Sequence, residues 1–136
     1  MAVTDFLDRG VRLNPKGECF VYGDKTFTYT QVQKFTYQVA NKLLGVNLKK
    51  GAKAAILSIN DPIAYSCAFA IMRAGLVWVP VNPKNSINDN QYIIDFFDCE
   101  VLFYHSLFSS VVDNLRKILQ QMAHHFAQDV IRPIGE

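Results

Sequence analysis

The sequence has few cysteines, and they are scattered. Cys19, Cys67 and Cys99 are the three thiols among 136 residues, and no C-x-x-C pair occurs. An odd number of distant cysteines argues against a disulfide framework, and the missing pairs argue against zinc. Reduced thiols are expected, with Cys67 a small apolar residue inside a helical pattern. The seven glycines stand singly. None lies in a G-x-G-x-x-G or G-x-x-x-x-G-K-[ST] pattern, and no G-x-S-x-G elbow occurs. The sequence therefore offers no run of backbone N–H groups to wrap a triphosphate. Charge of one sign is also scarce: 14 Lys and Arg against 12 Asp and Glu leave +2. That balance lacks the basic stripe of a dedicated nucleic-acid binder. Lys49, Lys50 and Lys53 form the only basic cluster, which reads as a solvated turn. No apolar run approaches the roughly 18 residues of a membrane span. Met1–Pro15 lacks the charged-then-apolar build of a signal peptide. The expectation is a soluble, cytoplasmic chain.

What is present is apolar and well ordered in pattern. Half the residues are hydrophobic, and a single domain of this length buries roughly two-thirds of its unfolded surface. Phe6, Leu7, Val11 and Leu13 predict a short amphipathic helix over Asp5–Leu13, ended by Asn14-Pro15. Cys19–Tyr22 and Thr26–Tyr29 flank Gly23-Asp24 and predict a hairpin. Thr30 with Gln33 has capping-box spacing before a helix over Gln31–Leu44, with Gly45 as its left-handed exit. Ala54–Ile59 is a continuous apolar run, the mark of a strand covered on both faces. Asp61-Pro62 supplies an N-cap and a first-turn proline for a helix to Arg73, ending at Gly75. The next strand begins at Leu76 and should fade at Pro80, which cannot donate to a ladder. Ser86 with Asp89 opens a helix over 87–97, and Glu100–Tyr104 is a further strand. Val111, Val112, Leu115, Ile118, Leu119, Met122 and Phe126 predict a long helix from Ser109 to the break at Ile131-Arg132-Pro133. Helix and strand alternate after the hairpin. The predicted fold is α/β: a three-layer, mostly parallel sheet with flanking helices, plus a short N-terminal β-hairpin.

Open α/β sheets bind ligands beyond the carboxyl ends of their strands. Three places qualify: Ser58–Asp61, Pro80–Pro83 and His105–Ser106. His105 follows a strand and has acid–base capability, although a loop histidine bonding a neighbouring carbonyl is the plainer reading. His124 and His125 point apart if helical, which favours a solvated pair over a metal site. Asp95 and Asp98 are close in sequence, but Asp98-Cys99 reads as a helix-to-strand turn rather than half of a catalytic pair. Asn60-Asp61 reads as a capping turn. Trp78, Phe96, Phe97, Phe103 and Tyr104 have the chemistry of an acyl or aromatic pocket, and core packing is the plainer reading.

Taken together, YGDKTFTYTQVQ and VANKLLGVNLKKGAKAAILSINDPIAYSCAFAIMRAGLVWVPVNP resemble the N-terminal part of adenylate-forming enzymes, the acyl-CoA synthetases and their relatives. Phe27-Thr28-Tyr29-Thr30 resembles the family's strand-"TY"-helix junction. Ala40–Leu43 with Gly45-Val46 resembles its "A-x-x-L" helix and "G-V" turn. Asn60-Asp61-Pro62 matches "N-x-P", and Ala74-Gly75 through Asn82-Pro83 matches "A-G-x-x-x-V-P-x-N-P". Gly51 is present, but Ala52 and Lys53 stand where an acidic residue is usual. The resemblance covers roughly residues 5–120.

The resemblance implies a partial domain of the adenylate-forming fold over 1–120, followed by a helical tail over 121–136. Met122–Glu136 departs from the synthetase pattern and is similar to the opening helix of acyl-CoA dehydrogenases. Family members use ATP, Mg2+ and CoA to activate a carboxylate and pass it to a thiol. They do so with a Ser/Thr/Gly-rich phosphate loop, a ribose-binding acid, a hinge arginine and a C-terminal lysine. None of these has a counterpart here, so no residue receives a catalytic, cofactor-binding or metal-ligating role. The chain is expected to be inactive in adenylation alone and to need none of these cofactors by itself. Its substrate class by resemblance is fatty or other apolar acids. The alternative is a scaffold or binding module that self-associates or pairs with a partner chain through unfinished sheet surface.

Overall fold

The structure is a computed structural model, and it describes residues 1–122, 124, 126 and 131–134. Its elements are α1 (Thr4–Leu13), β1 (Glu18–Tyr22), β2 (Lys25–Thr28), α2 (Tyr29–Leu44), β3 (Lys53–Leu57) and α3 (Pro62–Arg73). They continue as β4 (Val77–Val81), α4 (Ile87–Phe96), β5 (Cys99–His105), a 3-10 turn at Ser106–Phe108, α5 (Ser109–Gln121) and β6 (Ile131–Ile134). The strands β3 to β6 form one sheet in the order β4-β3-β5-β6, and every pairing in it is parallel. The strands β1 and β2 make a separate antiparallel hairpin.

Alternation along the strands sends side chains to two cores. Ala54 and Ile56 of β3 pack with Leu43, Cys67 and Ile71 of α2 and α3. Ala55 and Leu57 pack with Ile94, Val112, Leu115 and Leu119 of α4 and α5. The result is three layers, α2 and α3, sheet, α4 and α5. The central strand is buried on both faces, as its unbroken apolar run requires. In β5 the alternation is interrupted. Lys53 lies opposite Cys99 and Ala54 opposite Val101, so Glu100 is an extra residue in the ladder. This bulge turns Cys99 toward α4 and α5 while Val101 faces α2 and α3.

A polar network fastens α1 to the layer behind it. Arg73, at the end of α3, donates from Nη2 and Nη1 to Asp8 at 2.7 and 3.1 Å, and from Nε to Thr36 Oγ1 at 3.1 Å. Its guanidinium also lies 4.1 Å from the Tyr37 ring centroid. Gln33 Nε2 donates to Asp8 Oδ1 at 2.9 Å. The hydrogen bonds from Arg73 hold the Asp8 carboxyl below its ordinary range, and those same bonds raise Arg73.

Several local expectations are corrected. The capping box is Thr28 with Gln31: Thr28 Oγ1 accepts from the Gln31 amide at 3.2 Å, and Gln31 Oε1 accepts from the Thr28 amide at 2.9 Å. The hairpin register makes Thr28 the last extended residue, so α2 starts two residues earlier than Thr30 would place it. Gly45 has ordinary right-handed φ of −72°, and the positive φ falls on Asn47. Pairing does not fade at Pro80, which lies opposite Ile56 inside β4. β4 is an edge strand, where a missing N–H can face outward without breaking a bond. The last helix ends at Gln121, and Ile131–Ile134 is a strand beside β5 rather than helical tail. Residues 123, 125, 127–130 and 135–136 of that tail lie outside the described residues.

Candidate functional site

A concavity lies where β3 and β4 end. A cavity of about 770 Å3 is lined by Ile56 of β3 and Ser58, Ile59 and Asn60 after it, by Ala64 and Tyr65 of α3, and by Trp78 and Pro80–Lys84 around the end of β4. Two of the three strand ends singled out from the sequence therefore meet in one place. The third, His105–Ser106, does not line it.

Local chemistry fixes this end of the sheet. Val79 and Val81 face α4 and α5, so alternation puts Trp78 and Pro80 on the opposite face, beside Ile56. Asn82 Oδ1 accepts from the Lys84 amide at 2.9 Å and shapes the turn after β4. Asn90 of α4, almost fully buried, donates from Nδ2 to the Asn82 carbonyl at 3.0 Å and accepts from Asn85 Nδ2 at 3.2 Å. Sequence reasoning passed over Asn90. Its signal was a polar residue on the core-facing side of a helical pattern, which must find partners when buried.

The polar inventory of the cavity is small. Asp61 caps α3, its Oδ1 accepting from the Ile63 and Ala64 amides at 2.7 and 3.3 Å. A helix N-terminus attracts anions through just such amides, and here a carboxylate of the chain already holds them. A phosphate would meet that negative charge with Lys84 as the nearest lining cation. Tyr65 OH donates to Asn60 Oδ1 at 3.4 Å. Ser58 Oγ is buried without a hydrogen-bond partner among the described residues.

The remaining candidates are placed apart. His105 Nδ1 accepts from the Leu107 amide at 3.1 Å, so it caps the 3-10 turn. His124 is no surface residue. It is buried, with Nε2 2.8 Å from the Cys99 carbonyl and Nδ1 3.2 Å from Asp95 Oδ1. The expected solvated pair is thus overturned for His124, because the chain leaves α5 before it and folds back; His125 lies outside the described residues. Asp98 has φ of 51° and makes the α4–β5 turn, while Asp95 turns to His124. The aromatics do not converge. Phe103 is core, Trp78 lines the cavity, and Phe96 at the end of α4 and Phe97 just after it are exposed. Burial pushes the Cys67 and Cys99 thiols up to about 12, which keeps both protonated and unreactive at neutral pH. Among the described residues no cluster of metal ligands occurs, and no helix is long and apolar enough to cross a membrane.

Known proteins share this architecture. The peroxisomal benzoate–CoA ligase of Arabidopsis thaliana is 26% identical over 106 residues, covering 78% of this chain and 18% of the ligase. The 2-succinylbenzoate–CoA ligase of Listeria monocytogenes is 29% identical over 82 residues, covering 60% of this chain and 18% of its own. A fatty acyl CoA synthetase of Mycobacterium tuberculosis superposes with TM-score 0.78 at 21% identity, over 85% of this chain and 23% of that one. The anthranilate CoA ligase AuaEII, solved with anthranoyl-AMP, superposes with TM-score 0.81 at 22% identity, over 86% and 23%. These superpositions show the fold. The chain spans about a fifth of the length of the curated relatives it matches. The AMP-binding enzyme family itself matches residues 7–132, past the 120 that sequence motifs alone reached. On that match, which takes in both faces of the sheet and the cavity between β3, β4 and α3, the chain belongs to the AMP-binding enzyme family.

Proposed function

We propose that the chain supplies the N-terminal part of an acyl-CoA ligase-type adenylate-forming domain and does not form an acyl adenylate alone. The observation that carries this reading is the occupied end of α3. The cavity at the strand ends has aromatic and aliphatic walls, one lysine, and a helix N-terminus already neutralised by Asp61. It offers an acyl or aromatic body a surface, and it offers a triphosphate no cradle. The sequence, with its isolated glycines, supports the same conclusion. The acid class proposed is fatty or other apolar carboxylates, and the compartment proposed is the cytoplasm, from the free thiols and balanced charge.

Carboxylate-dependent exchange of pyrophosphate into ATP tests it. The chain alone, offered a panel of aliphatic and aromatic acids, is expected to give no exchange above a heat-killed control. Acid-dependent exchange by the purified chain would overturn the reading.

A second reading, a scaffold module that pairs with itself or another chain, draws on one observation. Val77 and Trp78 on the edge strand, with Tyr65 beside them, are 45%, 36% and 44% exposed. Large apolar side chains along a sheet edge favour association. Light scattering across a concentration series separates the two: growth in mass with concentration supports the scaffold, and a constant monomer mass counts against it.

A further inference from the structure

Two helices on opposite sides of the sheet carry exposed apolar ridges, and the ridges differ in charge. On α1, Phe6 and Leu13 are seven residues apart, so they share one face with Arg9 between them. They are 64% and 74% exposed. Arg9, Arg12 and Lys16 are exposed beside them. Of the acids on this helix, Asp8 is turned to Arg73, and Asp5 Oδ2 accepts from the Ala2 amide at 2.8 Å. On α4, Tyr92 and Phe96 are one turn apart and 63% and 65% exposed, and their rings stack with centroids 5.5 Å apart. Phe97 meets Phe96 edge-on at 5.2 Å. Exposed Asp89 and Asp98 stand before and after these aromatics, and residues 87–98 contain no lysine or arginine.

We propose that α1 of one copy docks on α4 of the next, so that the chain assembles into an open row. Charge selects the pairing. Two α4 ridges brought together would set acid against acid, and two α1 ridges base against base, which is unfavourable in either case. With α1 on α4, the cations of one ridge meet the carboxylates of the other, and Phe6 and Leu13 cover the rings of Tyr92 and Phe96. An arginine over an aromatic face adds a further attraction. The fold then decides the kind of assembly. α1 is fastened to the α2 and α3 layer through Arg73, and α4 packs on the other face of the sheet. The two ridges of one molecule therefore lie on opposite sides, and a twofold pair does not satisfy both. A head-to-tail contact leaves one ridge of each kind free, and such a contact grows until its ends are capped. Both helices have ten residues and are about 15 Å long. Their contact is smaller than the roughly 800 Å2 per partner of a stable interface, so the association is weak and depends on concentration. The row is independent of both readings above, since neither the strand-end cavity nor the β4 edge takes part.

Light scattering on the full chain tests this from about 10 μM to about 1 mM, the range in which weak contacts fill. The mass should rise above that of a monomer and go on rising past a dimer. Two variants each lose one ridge: Phe6→Ser with Arg9→Glu on α1, and Tyr92→Ser with Phe96→Ser on α4. Each variant alone should associate at least about tenfold more weakly, because aromatic and arginine anchors carry most of a small interface. Mixed in equal amounts, the two should form a pair and nothing larger, since one keeps its α4 ridge and the other its α1 ridge. A monomer at every concentration, or a mixture that stays monomeric, would overturn the row. So would a dimer that survives the α1 changes and is lost with the α4 changes, which would mean that α4 pairs with itself. Association that survives both sets of changes would also sink the row and would leave the β4 edge as the associating surface. All four side chains are exposed, so circular dichroism should show the helices intact. Should either variant fail to fold, Arg9→Glu and Asp89→Lys singly take its place, and each should weaken self-association severalfold; no weakening in either would overturn the proposal.

Discussion

Two acid–base fastenings hold the helical layers, one on each side of the sheet, and they differ in the base. On the α2 and α3 side, Asp8 meets Arg73, whose guanidinium stays charged at any pH a folded chain meets. Thr36, Tyr37 and Gln33 complete that contact. On the α4 and α5 side, Asp95 Oδ1 meets the imidazole of His124 at 3.2 Å. The first fastening ties an N-terminal helix permanently to the layer behind it. The second ties His124, just beyond the end of α5, to α4 and to the Cys99 carbonyl of β5. The difference lies in the choice of base: the carboxylate is the same.

The comparison breaks most visibly if the two sides are not one cooperative unit. Ile71→Ala and Leu115→Ala each empty a fully buried site, one on each face. Each should cost about 3 kcal/mol. Urea unfolding followed by tryptophan fluorescence and by circular dichroism should show one coincident transition in both variants. Separate transitions for the two probes would show that the faces unfold independently.

Next in size is the permanent fastening. Arg73→Ala removes three hydrogen bonds and leaves Asp8 half-buried without its cation, a loss of about 2 kcal/mol. Asp8→Asn should cost less and should change the acid limb. Arg73 holds the folded Asp8 pKa below its unfolded value. Its contribution is therefore complete above the unfolded value and is lost as the pH falls through the lowered one. Stability curves taken downward from about pH 5 should steepen in the wild type and flatten in Asp8→Asn. Equal acid limbs would show that Asp8 is not a stability determinant.

The smallest effect belongs to the cavity. Ser58→Ala removes a buried hydroxyl that has no partner among the described residues. Stability should hold or rise by up to about 1 kcal/mol. A clear loss would mean that the hydroxyl is satisfied, and a thermal melt reads either outcome.

Much of the fold could be read in the residues. Asp61-Pro62 marked the start of α3 because a carboxylate cap and a proline without N–H both suit a first turn. Gly75, where the helix was expected to end, has a φ of 78° that glycine adopts freely. The cavity was half legible, since two apolar strands ending in Ser58–Asp61 and Pro80–Pro83 had to end somewhere on one sheet. What its walls hold was not, because Trp78 becomes a cavity residue only once the neighbour order of β4 and β3 is known.

Sequence by itself determined the class of element at nearly every position, the parallel sheet and its layers. Periodicity and caps are local, acting over one turn of helix or one pleat. Tertiary structure decided four things: the place of Pro80 in an edge strand, the bulge at Glu100, the return of the chain as β6, and the burial of His124. Each depends on which strand lies beside which, and a slip of one residue in that pairing sends every later side chain to the other face.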